Sequence, residues 1–223
     1  MRIVKEPEVR KAEILAAAEK LFIAKGYDGA SVNDIIKSVG LSKGAFYYYF
    51  KSKEEVLNEI LEQRVCEGIK RAEEIAASSI SPLQKCLKMI LTQQLEEGYR
   101  RVVAIFQDNK DNSIIRRRSA ALNELDTKYI LRLSPCIGKV VEEGMEAGLF
   151  STSYPVESVQ ILLSAGFTLF HWDYLLWTEE EAKTKTAAFL VAMERILGAK
   201  AGAFAEFQVL FIKDILYPHG RGG

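Results

Sequence analysis

The stretch SVNDIIKSVGLSKGAFYYYFKSKEEVL, residues 31–57, decides the fold. Ser31 is a favourable helix N-cap, and Asp34, three residues on, is in place to complete a weak capping box. Ile35, Ile36 and Val39 follow at helical spacing and predict a short helix over residues 32–38. Gly40 ends it, Leu41 plugs the turn, and Ser42 caps a further helix over 43–49. Five aromatics run in succession from Phe46 to Phe50, too many to bury on one short helix. Phe46 and Phe50 stand four apart, so they share a face and belong to a core. Tyr47, Tyr48 and Tyr49 must then fan around the remaining surface.

Working outward, residues 8–25 predict a longer first helix, with Ile14, Leu15, Ala18, Leu21 and Phe22 making one apolar stripe and Gly26 at the C′ position. On the other side the run KSK at 51–53 breaks the pattern, and a fourth helix starts near Ser52 and runs over 53–77. A long helix, a short helix, a Gly-containing turn and a second short helix make a three-helix head with a helix-turn-helix. Such a turn leaves the N-terminal residues of the last helix projecting outward, and the DNA major groove admits a helix of this kind. The residue types suit that task. A helix N-terminus offers unpaired N–H groups and partial positive charge to phosphate, Gly44 lets backbone come close, tyrosine hydroxyls reach phosphate oxygens, and Lys51 and Lys53 stand ready to neutralise backbone charge. The charge distribution agrees: the first 53 residues hold ten Lys/Arg against six Asp/Glu, while the remainder holds twenty against twenty-four, so a net charge of zero hides a basic first quarter.

The run at 31–57, with AEKLFIAKGY at 18–27 before it, resembles the DNA-binding signature of the TetR/AcrR family of bacterial regulators, densely and without gaps over roughly residues 10–57. The resemblance implies an all-α protein, with an N-terminal three-helix helix-turn-helix DNA-binding domain (residues 1–53, the boundary lying within the fourth helix at about 53–60) and a larger C-terminal helical bundle (54–223) for ligand binding and dimerisation. It implies that Ser31 and Asn33 touch phosphate, that Ser42, Lys43 and Gly44 lie near base edges or adjacent phosphates, that Tyr47 and Tyr49 hold the DNA backbone with Tyr48 able to point to either, and that Lys53 grips a phosphate. Lys43, as the long side chain nearest the bases, is the expected reader of guanine O6 and N7. The implied partner is double-stranded DNA carrying a palindromic operator, bound by a homodimer.

Beyond residue 58 helical patterning continues, with segments predicted over 82–97, 102–109, 113–148 with a bend at Pro135, 155–177, 179–198 and 203–216. The helices over 155–177 and 179–198 are the dimer surface that the resemblance implies, and the first is apolar nearly all round, so it must bury more than one face. A small-molecule effector, apolar or aromatic, is expected between helices of this body. The candidate walls are Cys86, Met89, Gln93, Phe106, Tyr129, Phe167, Phe170 and His171, with Ile90, Tyr99 and Leu133 beside them. Each of these is also what a plain core requires, and Arg116, Arg117 and Arg118 read by default as a solvated helix face.

Apolar residues at 48% with 27% charged supply both a core and a solvated surface, which excludes disorder. Cys66, Cys86 and Cys136 are odd in number and far apart, which predicts reduced core thiols and a cytoplasmic setting. The N-terminus has no apolar signal region, and the longest uncharged stretch, 158–172, is shorter than a membrane span. No HExxH, P-loop, GxSxG or GxGxxG pattern occurs, and the only histidines, His171 and His219, have no ligand-like spacing, so neither enzyme activity, cofactor nor metal site is expected. The expected function is a transcriptional repressor released by an effector. An architectural protein that coats DNA without sequence preference, or a small-molecule enzyme, stands as the alternative.

Overall fold

The structure is a computed structural model, and it describes residues 6–91, 105, 120–170 and 177–208. Among the described residues there are eight α-helices and no strand. They divide into two compact units: Met1–Cys66 with Glu97–Ser119, and Glu67–Glu96 with Ala120–Gly223. The division falls inside the fourth helix.

In the first unit α1 (Pro7–Lys25) opens with a proline in its first turn, where the ring's fixed φ suits a helix and no intrahelical N–H is lost. Ile14, Leu15, Ala18 and Phe22 bury its inner stripe, and Leu21 is half-buried at its edge. Glu19 lies on the same side, 6% exposed, and both its carboxylate oxygens accept from the Arg64 guanidinium at 2.8 Å. The bidentate fork offsets what would otherwise be a costly buried charge. α2 (Val32–Val39) carries a complete capping box: Ser31 Oγ accepts from the Asp34 N–H, and the Asp34 carboxylate accepts from the Ser31 N–H at 2.9 Å. It ends at Gly40, whose φ of 65° is left-handed and whose N–H, with that of Leu41, turns back to the last carbonyls of α2. A side chain at Gly40 would strain that turn. α3 (Lys43–Tyr49) is capped by Ser42, which accepts from the Ala45 N–H. α1 packs on α2 and α2 on α3, around Ile35, Phe46 and Phe50 with the first turns of α4 (Lys53–Ala76) supplying Val56, Leu57 and Ile60.

In the second unit α6 (Ala120–Glu146) packs on α5 (Pro82–Leu91) and α7 (Pro155–Phe170), and α7 packs on α5 and α8 (Glu179–Leu197). Leu133, Ile137, Val140 and Val141 line the inner face of α6, and Leu162, Leu163, Phe167 and Phe170 that of α7. α6 stays helical through Pro135; the ring removes one N–H, and the preceding Ser134 hydroxyl bonds the Ile130 carbonyl. α8 is bounded by a capping box at Thr178 and Glu181 and by a left-handed Gly198.

Two expectations are corrected. Ala203–Phe207, the start of the helical segment predicted over 203–216, begins as turn and becomes a 3-10 helix only at Ala205–Phe207; there the Phe204 N–H donates to the buried Glu194 carboxylate and its ring stacks on Phe150, which holds the chain in the turn. Cys66, expected in the core, is exposed, because Leu61, Val65, Gly68 and Ala72 occupy the inner stripe of α4 and leave position 66 on the outer one. The predicted segment 102–109 lies outside the described residues except Ile105, and so do residues 92–97, 113–119, 171–176 and 209–216 of the predicted 82–97, 113–148, 155–177 and 203–216 helices.

Candidate nucleic-acid interface

The aromatic run resolves as its spacing requires. Phe46 and Phe50 are 0% and 1% exposed with ring centroids 6.1 Å apart, whereas Tyr47 and Tyr48 are 45% and 79% exposed and Tyr49 is half-buried, its ring edge-on to Tyr48. Two phenylalanines anchor α3 to the core, and the tyrosines between them are the face it presents. Ser42, Lys43 and Gly44 are exposed on the first turn. A Cβ placed on Gly44 would meet nothing within 4 Å. The fold therefore does not require glycine there; what glycine preserves is open space over the backbone of the α3 N-terminus.

α2 is exposed at its own start. Asn33 and Ser31 are both exposed. Ser31 is already engaged, its hydroxyl donating to Asp34 Oδ2 at 2.7 Å while accepting the Asp34 N–H. The Ser31 bonds and a Lys25 ammonium 3.2 Å away hold the Asp34 carboxyl at about 2, below its usual 3.8.

Lys53 is placed differently from its neighbours. Its ammonium donates to the carbonyls of Tyr27 at 2.7 Å and Ala30 at 2.9 Å and sits 4.2 Å from the centre of the Tyr27 ring. Two of its three N–H donors are thus taken by the loop that ends at Ser31. Tyr27 is further held by an edge-on contact with Phe22 and by its N–H, which donates to the Ile105 carbonyl at 3.1 Å. Burial pushes its phenol up, the Glu54 and Asp28 carboxylates adding to the effect, so the ring faces the ammonium uncharged.

The sequence model of the bacterial regulatory proteins of the tetR family matches residues 14–60. The HTH-type transcriptional repressor KstR2 of Rhodococcus jostii is 30% identical over 150 residues, 66% of this chain and 71% of that protein. The chain belongs to the TetR family. Two solved structures of lower identity agree in fold: a TetR/AcrR-family transcriptional regulator from Thermobifida fusca (24% identical, 96% of this chain and 100% of that chain, TM-score 0.58) and Salmonella enterica GusR (17%, 89% and 100%, TM-score 0.60). This TetR-family chain is a DNA-binding transcriptional regulator.

Of the effector-wall candidates in the C-terminal unit of this TetR-family regulator, Cys86, Met89, Tyr129, Phe167 and Phe170 are buried, with Ile90 and Leu133 beside them, and the Tyr129 ring stands edge-on to Phe167 at 5.8 Å. Gln93, Phe106 and His171 lie outside the described residues, as do Tyr99 and Arg116, Arg117 and Arg118. Burial pushes the Cys86 thiol up to about 12, with the nearby Glu143 carboxylate adding and Lys85 opposing, so it packs as an apolar group rather than acting as a nucleophile. A Cβ at Gly68 of α4 would collide with the Tyr129 hydroxyl, so glycine is what admits that ring against the helix. No helix among the described residues is long and apolar enough to cross a membrane.

Sequence reasoning missed the Lys53 clamp, the Glu19–Arg64 fork and the Gly68–Tyr129 contact. Each joins residues far apart in the chain, where spacing carries no signal.

Proposed function

We propose that this regulator is a repressor that binds a palindromic operator as a homodimer through α2 and α3 and is released when an apolar or aromatic effector occupies the C-terminal helices. The observation that carries the DNA-contact assignment is the partition of α3: Phe46 and Phe50 buried, Ser42, Lys43, Gly44, Tyr47 and Tyr48 exposed together. In this reading Lys43 reads a base edge, Tyr47, Tyr48 and Tyr49 hold phosphates, and Ser31 and Asn33 meet the backbone at the start of α2. A repressing role is supported by KstR2 of Rhodococcus jostii being named a transcriptional repressor.

The dimer proposal is supported by the outer faces of α7 and α8. Ile161 is 57% exposed, with Ser164, Ala165 and Thr168 exposed on the same stripe of α7, and Val191 is 44% exposed beside Ala188 on α8. No charge occurs between residues 158 and 170, and a self-complementary patch of this kind suits a two-fold interface. Two heads on one operator then require half-sites about 34–36 Å apart or a multiple of that. The effector would act by binding more tightly to the state whose heads do not match the operator. Its apolar character is supported by Met89, Tyr129, Phe167 and Phe170, and Cys86, Gln93, Phe106 and His171 complete the proposed wall.

Selection of bound sequences from random DNA tests the reading. The expected result is one palindrome, protected as a discrete footprint and lost with Lys43→Ala or Tyr47→Ala while the dimer stays folded. Even coverage without a preferred sequence would instead point to an architectural protein, and turnover of a bound compound to an enzyme. Compounds that release the selected palindrome then identify the effector class.

A further inference from the structure

The Lys53 ammonium lies at the surface end of α4, where a lysine is well placed to neutralise a phosphate, yet its geometry is that of a clamp. It spans two carbonyls of the α1–α2 loop, Tyr27 and Ala30, and stacks on the Tyr27 ring between them. The residue after Ala30 is Ser31, the N-cap of α2, whose backbone and side chain fix the first turn of that helix. The clamp therefore sets where the N-terminus of α2 lies relative to α4. We infer that Lys53 is a positioning residue for operator binding: it acts by holding the Tyr27–Ala30 loop, and through Ser31 the start of α2, rather than by neutralising a phosphate.

The two roles make opposite demands on the salt dependence of binding. Each phosphate neutralised by a protein cation contributes about 0.9 to the slope of log K against log salt. Removing a phosphate contact flattens that slope, whereas removing a positioning contact weakens binding by the same factor at every salt concentration. The inference rests on the proposed operator reading, so one arm of the test is independent of DNA.

Lys53→Met keeps the length of the side chain and removes the donors and the charge. Wild type, Lys53→Met and Lys53→Arg would be titrated with the selected palindrome over a range from about 50 to about 300 mM salt, and hydrogen exchange would be followed in the unbound protein. The expected result is a loss of about tenfold in affinity for Lys53→Met, the worth of one charge-assisted hydrogen bond, with a line parallel to wild type. The Asp34 and Ile35 amides, which donate to Ser31, exchange faster. Lys53→Arg, whose guanidinium carries donors for both carbonyls, recovers both properties. A slope reduced by about 0.9 per head, or unchanged amide exchange in Lys53→Met, overturns the inference. A wild type that selects no sequence overturns the operator reading and this one with it, whereas a wild type that selects normally beside a flattened Lys53→Met slope overturns this one alone.

Discussion

Gly44→Ala separates what the fold asks of the α3 N-terminus from what DNA asks of it. Nothing in the structure stands within 4 Å of a Cβ at this position, so the added methyl enters open space without a clash. Alanine also favours helix over glycine by roughly 0.5–1 kcal/mol, which for a chain of this size raises the melting midpoint by about 1–4 °C. Binding should move the other way. Gly44 lies between the exposed Ser42, Lys43 and Tyr47, and if phosphate or a base edge approaches this backbone, a methyl there holds it off and breaks a hydrogen bond to a charged group, worth about 1.5–3 kcal/mol. That is roughly a 10- to 150-fold loss of affinity per head. The assay pairs thermal unfolding with titration of the selected palindrome by fluorescence anisotropy, on one protein preparation. A variant that melts higher and binds as wild type refutes close backbone approach at Gly44. A variant that melts lower refutes the open space on which the reasoning stands.

Three further outcomes are expected. Ile161→Glu or Val191→Glu, both at exposed positions on the proposed two-fold patch, should leave helicity unchanged and shift the sedimenting species to a single chain; a persistent dimer in both variants refutes the patch. The Asp34 carboxyl is held at about 2, against 3.8 when unfolded, so its contribution to stability is complete above about pH 4 and lost as pH falls through about 2; an acid titration of unfolding should show that segment flattened in Asp34→Asn, and identical profiles refute it. In native protein at mildly alkaline pH a maleimide should label the exposed Cys66 and leave Cys86 untouched, since burial pushes the latter to about 12; mass spectrometry of the labelled peptides decides it, and labelling of Cys86 at the rate of Cys66 refutes its burial.

How much of this was legible in the chain depended on how far each signal reaches. Ser31 with Asp34, Gly40, and Ser42 act on backbone groups three or four residues away, so the ends of α2 and α3 could be read within a residue. Phe46 and Phe50 declared themselves because only one face of a short helix can be buried. The Lys53 clamp joins positions 26 and 23 residues apart, and no local pattern encodes which carbonyls an ammonium will meet. Cys66 was misplaced because cysteine composition says nothing of phase along α4. The effector wall was least legible: Met89, Tyr129 and Phe167 are buried, and apolar residues at helical spacing look alike in a sequence whether they enclose a ligand or one another.

The backbone bond between Tyr27 and Ile105 carries a consequence for how such regulators can be cut and recombined. Ile105 is fully buried and belongs to the first unit although it follows α5 in the chain. The head is thus stitched from two separate lengths of polypeptide. On the ribosome it remains unfinished until residue 105 has emerged, well after its own helices have been made. A head excised at the division in α4 would lose the Ile105 carbonyl that the Tyr27 N–H bonds, and a chimera that joins this body to another regulator's head would bring residue 105 to a loop of different sequence. On the proposed operator reading, exchange of DNA specificity is therefore better attempted by replacing the exposed residues of α3 than by transplanting the module.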